Sequence, residues 1–202
     1  MTSLAAVPFG TLLEQVAAKT PTPGGGAVAS AVGALAAALA GMVVSFSLGK
    51  KSLAPHAPAL EDARARLERA RALMLRLADE DAAAYGLCNE LSRLPETDPR
   101  RAAEHAPALR ACVQIPEAVA AACVDLLRLM DTLGPITNRH LRSDLGLAAE
   151  LAEAAVRASN WNVWINSKGL PAPEAVDAHE RSRQAGDSAR DLLERVRIAC
   201  RD

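Results

Sequence analysis

The sequence predicts an all-α fold: a single domain over residues 1–202, built as a bundle of about six helices around one buried apolar helix. Three observations predict it. Half of the 202 residues are hydrophobic but only 2% are aromatic, so the core must come from Ala, Leu and Val. With Arg and Glu these form the helix-favouring set, and alternating β-branched runs are almost absent. Finally, the run from Val28 to Leu48 carries no charge on any face, and a helix apolar all round must be surrounded.

The elements follow in order. Thr11-Leu12-Leu13-Glu14 has capping-box spacing, so a first short helix is expected from Pro8 or Thr11 to Ala18. Its Leu12, Leu13 and Val16 are expected to cover the apolar helix. Thr22-Pro23-Gly24-Gly25-Gly26-Ala27 then makes a tight loop. Pro23 pushes Thr22 toward an extended conformation, and three glycines permit positive φ or close approach of another group. The apolar helix follows and stops near Gly49, a natural residue after a helix end. Within it Gly33, Ala37 and Gly41 recur every four residues, a spacing that suits close helix packing or a subunit interface.

Pro55 and Pro58 open a long helix that Pro95 closes, its arginines 64, 66, 69, 71 and 76 mixed with acids on a solvated face. The next begins at Asp98-Pro99 with Asp98 as cap and ends at Gly134-Pro135; Pro116 within it is expected to kink or break the helix. After a polar connection from Thr137 to Leu141, Ser143 or Asp144 caps a helix reaching Asn166. Pro171 and Pro173 enforce a break, and a charged amphipathic helix runs from Glu174 to Ile198, with Val176, Leu192, Leu193 and Val196 inward.

Composition excludes several functions. The net charge is −1 with basic and acidic residues interspersed, unlike a nucleic-acid-binding face. Cys88, Cys112, Cys123 and Cys200 show neither CxxC nor metal-ligand spacing. They read as reduced thiols packed as small hydrophobes, which implies a cytoplasmic protein without a metal. The apolar run is long enough to span a bilayer. It is nevertheless read as a buried helix of a protein with no membrane partner, because it is Ala-dominated, contains Ser30, Ser45 and Ser47, and follows an amphipathic segment.

Five sets of residues fit a purely structural story poorly. Glycines 24, 25 and 26 expose backbone N–H groups at a helix N-terminus, a ready anion or carbonyl site. Lys50 and Lys51 stand at the far end of the apolar helix. At 100° per residue, Ala63, Leu67, Ala70, Met74, Leu77, Tyr85 and Cys88 form one inward stripe with Asp81 in its middle, whereas Asp79 falls on the charged side. A carboxylate aimed at the core is costly unless paired or working. Pairing with Tyr85 or an arginine would make it structural; we read it instead as an acid–base group in a pocket. Ser143 and Asp144 suit both capping and ligand contact. Asn162 and Asn166, four apart and flanked by Trp161 and Trp164, suit either inter-helix hydrogen bonds or recognition of a flat, heteroatom-rich ring. The histidines are scattered and support no nucleophilic triad.

Three stretches together, TPGGGAVASAVGALAAALAGMVVSFSLGKK, LADEDAAAYG and RSDLGLAAELAEAAVRASNWNVWIN, resemble the formiminotetrahydrofolate cyclodeaminase/methenyltetrahydrofolate cyclohydrolase family from about Thr11 to Asp191. The resemblance implies a helical subunit that forms a homodimer with a folate site near the helix interface. It assigns catalysis to the second acid of the D-x-D, here Asp81. It also makes Lys50 and Lys51 candidates for the glutamate tail of a mono- or polyglutamated tetrahydrofolate, with Asp144, Asn162 and Asn166 candidates for the pterin edge. No cofactor beyond the folate substrate is implied. Ala27 stands where relatives commonly have Ser, Trp161 alters the approach to NVxIN, and Ser52 replaces a third basic residue. These departures bear on substrate choice. As a free-standing short chain, the protein is expected to be the cyclohydrolase. The alternatives are the cyclodeaminase and a folate-binding helical protein without turnover.

Overall fold

A computed structural model describes residues 3–201. Six α-helices follow one another: α1 (Phe9–Ala17), α2 (Gly25–Ser47), α3 (Ala57–Ser92), α4 (Pro99–Leu133), α5 (Arg142–Asn166) and α6 (Ala172–Arg201), joined by short 3₁₀ turns. No strand occurs among the described residues. The core is aliphatic, with Leu60, Leu67, Met74, Leu127, Met130 and Leu145 among its largest fully buried side chains.

The apolar helix α2 packs chiefly against α3 and α5, while α6 closes the other side of the bundle on α4 and α5. It is long and apolar enough to cross a membrane, yet Ala36, Ala40, Val43 and Val44 on it are fully buried within the chain. It is not surrounded as its composition implies: Val28, Leu35 and Phe46 face outward. Of the small-residue stripe, Gly33 and Ala37 are packed internally, Gly33 where a β-carbon would come within 3.0 Å of Cys123 Sγ and Met74 Sδ, whereas Gly41 has open space beside it. Gly49, at φ 79°, takes the left-handed conformation past the C-cap Leu48 that the sequence anticipates.

Several local expectations are corrected. Helix α1 starts after Pro8, not at a Thr11 cap, and none of its residues is buried, so it does not cover α2. Helix α4 continues through Pro107 and Pro116 without a break. Pro116 lacks the N–H that would bond the Cys112 carbonyl four residues earlier; Asn166 Nδ2 donates to that carbonyl instead, at 2.8 Å. Asp98 does cap α4, accepting from the backbone N–H groups of Arg100 and Arg101. Leu141 is the N-cap of α5, with no side-chain cap, so Ser143 and Asp144 lie inside its first turn. Val176 and Tyr85 are exposed rather than inward. Asp79 does not point idly to solvent: its carboxylate accepts from Ser3 Oγ at 2.6 Å and from Leu4 N–H at 2.7 Å, fastening the N-terminal turn to α3.

Candidate active site at the N-terminus of the apolar helix

The first turn of α2 is the floor of the site. Gly24 is its N-cap, with φ −121° and ψ −156°, and Gly25, Gly26 and Ala27 are its first helical residues. None of the three glycines has positive φ. Their role is the close approach of side chains, not an unusual backbone turn. A β-carbon on Gly26 would overlap the Asp81 carboxylate, and one on Gly25 would come within 3.3 Å of Asn162 Oδ1. Helices α3 and α5 thus bring an acid and an amide onto the two sides of one glycine turn.

The first N–H groups of a helix have no partner within it. Asp81 answers one of them, accepting a hydrogen bond from Ala27 N–H. The helix dipole favours a negative charge there. Burial nevertheless dominates and raises the Asp81 carboxyl above its ordinary value, with the Ala27 N–H opposing part of that rise. Among the described residues no cation pairs with Asp81, and a half-buried carboxylate with a raised pKa is a better proton acceptor and donor near neutrality than a solvated one.

The amide of Asn162 donates from Nδ2 to the Ala158 carbonyl in a long bond of 3.4 Å, and its Oδ1 lies against the glycine turn. Asn166 also ties α5 to α4: one N–H of its Nδ2 donates to the Cys112 carbonyl at 2.8 Å, which leaves its second N–H and its Oδ1 for another partner. A cavity of about 700 Å³ borders the loop beside this turn, lined by Thr22, Pro23, Asp79, Glu80, Ala82, Ala83 and the N-terminal turn. The Asp81 side chain faces Gly26, on the other side of α3 from that cavity.

Sequence reasoning missed a thiol pair here. Cys88 on α3 and Cys112 on α4 are in hydrogen-bonding contact, and Cys112 feels the Asp81 charge. Burial, the Cys88 thiol and that charge push Cys112 up to about 12. It stays a neutral, apolar wall beside the acid. Cys88 was legible as lying seven residues after Asp81 on one stripe; its partner on another helix was not.

The remaining candidate residues lie elsewhere in the chain. Helix α2 has 23 residues, and at ~1.5 Å per residue this places Lys50 and Lys51 roughly 34 Å from the glycine turn. Ser143 and Asp144 share that distant end, because Asn138 N–H, just before α5, donates to Ser47 Oγ at 2.9 Å. One chain therefore brings Gly24, Gly25, Gly26, Asp81 and Asn162 together, and keeps Lys50, Lys51, Ser143 and Asp144 apart from them. Among the described residues no group of three or more His, Cys, Asp or Glu side chains is arranged to hold a metal.

The family model described as formiminotransferase-cyclodeaminase matches residues 8–185. The chain belongs to the formiminotransferase-cyclodeaminase family. It is 32% identical, over 86% of its own length and 85% of the relative's, to a protein of Methylorubrum extorquens named methenyltetrahydrofolate cyclohydrolase. It is also 32% identical to formimidoyltransferase-cyclodeaminase of Sus scrofa, covering 90% of this chain but 34% of that one. A crystal structure of formiminotetrahydrofolate cyclodeaminase from Thermotoga maritima superposes with a TM-score of 0.90 at 29% identity, covering 98% of this chain and 97% of that one. The family fold thus extends over essentially the whole described chain, glycine turn and Asp81 included.

Proposed function

We propose that this family member hydrolyses 5,10-methenyltetrahydrofolate to 10-formyltetrahydrofolate, with Asp81 as the proton-transfer group. The observation that carries the reading is the desolvated Asp81 carboxylate held against the first turn of α2, with no cation paired to it among the described residues. The methenyltetrahydrofolate cyclohydrolase relative, 32% identical and covered over 85% of its length, supports the choice of reaction.

The substrate carries an amidinium carbon between N5 and N10. The Asp81 carboxylate stabilises that cation and takes a proton from the attacking water as the C–O bond forms. The tetrahedral intermediate then breaks its bond to N5, Asp81 returns the proton to N5, and the formyl group remains on N10. Water is added and one proton is released to solvent, so atoms and charge balance. Gly25 and Gly26 offer backbone N–H groups to substrate oxygens, and Asn162 offers an amide to the pterin edge. No cofactor besides the folate enters this scheme. The four cysteines are free, which supports a cytoplasmic setting, and we expect a homodimer.

The Thermotoga maritima neighbour, named a cyclodeaminase, supports a second reading. In that direction N10 attacks the formimino carbon of 5-formiminotetrahydrofolate, and Asp81 protonates the departing ammonia. One absorbance assay separates the two. Loss of the methenyl chromophore above the spontaneous rate means hydrolysis; its gain from the formimino compound with release of ammonia means the lyase. Neither change, with folate bound, would leave a binding protein without turnover.

A further inference from the structure

Tyr85, the one tyrosine of the chain, stands on the inner face of α3 and is nevertheless 45% exposed. It lies 18 residues beyond Leu67, which is five whole turns, so the two share one bearing on the helix. At Leu67 that bearing is sealed: the side chain is 1% exposed and lies beside Ala37 and Met42 of α2. The seal ends because α2 ends. Gly26, in the first turn of α2, already meets Asp81, one turn short of Tyr85. The chain leading into α2 does not refill the space, since Thr20, Thr22 and Pro23 run along the opposite side of α3 with Asp79, Glu80 and Ala83. The buried residues of α3 accordingly stop at Ala82 and resume only at Leu91.

The opening has walls. Cys88, one turn further along α3, touches Cys112 of α4, and Asn166 of α5 donates to the Cys112 carbonyl. Asn162 of α5 lies over Gly25. A recess above the glycine turn is thus bounded by three helices, and one of them carries both an aromatic ring and the acid. Residues four apart on a helix are neighbours, with β-carbons about 5–6 Å apart. Long side chains also lean back over the turn before their own, here the turn of Asp81. Tyr85 does not hold the acid in place, because the hydrogen bond that Asp81 accepts comes from Ala27 N–H. Among the described residues, then, a carboxylate with no paired cation sits beside an uncovered aromatic face. Both attract positive charge, the ring through the negative face of its quadrupole.

We propose that Tyr85 is a substrate-binding residue: its ring face and the Asp81 carboxylate together hold the flat amidinium cation of 5,10-methenyltetrahydrofolate and select it over uncharged folates. The role rests on the folate reading above, and it holds in either direction, since this cation is the substrate of the hydrolysis and the product of the cyclodeamination. The amidinium spreads its charge over N5, the bridging carbon and N10, a planar group of the kind that lies over an aromatic face. Hydrolysis destroys that charge as the carbon becomes tetrahedral. The ring therefore favours the bound substrate over the transition state, and its removal should raise KM without lowering kcat.

Fluorine NMR tests the placement without using activity. Biosynthetic 3-fluorotyrosine gives a single resonance, because the chain has one tyrosine. In Asp81→Asn, saturation with 5,10-methenyltetrahydrofolate should move that resonance, while calorimetry reports occupancy independently. Two further variants separate charge recognition from the mere covering of apolar surface. Tyr85→Phe keeps the ring and should keep the wild-type KM. Tyr85→Leu keeps an apolar side chain without the ring, and should raise KM roughly 2- to 30-fold, the range of a cation–π contact, with kcat not lowered and Tm unchanged. Added to Asp81→Asn, it should leave the Kd for uncharged tetrahydrofolate where it was. A bound folate that leaves the fluorine resonance in place, or a Tyr85→Leu KM equal to that of the wild type, overturns the proposal. Equal losses of affinity for methenyltetrahydrofolate and tetrahydrofolate overturn the selection by charge. Calorimetry that detects no folate binding to the wild type ends the folate reading itself, and the role of Tyr85 with it.

Discussion

The Asp81 carboxylate occupies the space that a β-carbon on Gly26 would need. Glycine at this position is therefore a condition for the acid to reach the first turn of α2. The overlapping atoms are the far end of a rotatable side chain, so Gly26→Ala should turn Asp81 away while the helix still forms. Misplacing a reacting group by about 1 Å can cost roughly 10²-fold in rate. Gly26→Ala is expected to lose turnover on that scale with little change in Tm, as read by the methenyl absorbance assay and by thermal unfolding. Retained activity would mean that the acid works from another position.

Asn166 and Pro116 act on one carbonyl. Asn166→Ala should leave the Cys112 carbonyl unpaired and cost about 1–3 kcal/mol of stability. In a Pro116→Ala background the restored N–H of residue 116 can take that carbonyl, so the same substitution should cost less. A double-mutant cycle from urea unfolding measures the difference. Strict additivity would show that the bond is not a replacement for the missing N–H.

Asp81 should also leave a signature in stability. Its folded-state pKa lies above the ordinary 3.8, so the native state binds this proton more tightly than the unfolded chain. The group's contribution is then at its best below about 3.8, where both states are protonated, and falls as pH rises through the native value. Asp81→Asn lacks this penalty. It should have a Tm equal to or above the wild type at pH 7, with the difference closing in acid. A lower Tm at pH 7 would mean that the Ala27 hydrogen bond outweighs burial.

Thiol chemistry checks the wall of the site. Cys112 and Cys123 are both pushed up to about 12 by burial. They should resist iodoacetamide at pH 8 until the chain is unfolded, while half-buried Cys88 and Cys200 react first. Mass spectrometry of the labelled peptides reads the order, and early labelling of Cys112 would show that the helices around Asp81 open readily.

The fold was legible because its signals are local. Proline, glycine and Asp98 punctuate the helices, and the uncharged run from Val28 to Leu48 leaves little choice but a long apolar helix. Asp81 was legible because seven apolar neighbours at helical spacing isolate one carboxylate. What sequence could not give was relations between helices. Pro116 looked like a break because nothing local announces that Asn166, fifty residues on, replaces its missing hydrogen bond. Tyr85 and Val176 obey the helical period yet sit where no neighbouring helix covers them. Lys50 and the glycine turn are close in the chain's logic but lie at opposite ends of α2, since a helix separates its two ends by its own length.

The central claim is that Asp81 moves the proton in the reaction, and the single-turnover rate of Asp81→Asn with methenyltetrahydrofolate tests it most directly. A folded variant is expected that still binds the folate but loses chromophore at least about 10²-fold more slowly than the wild type, the scale of a general acid–base contribution. A rate within a few-fold of the wild type would contradict it.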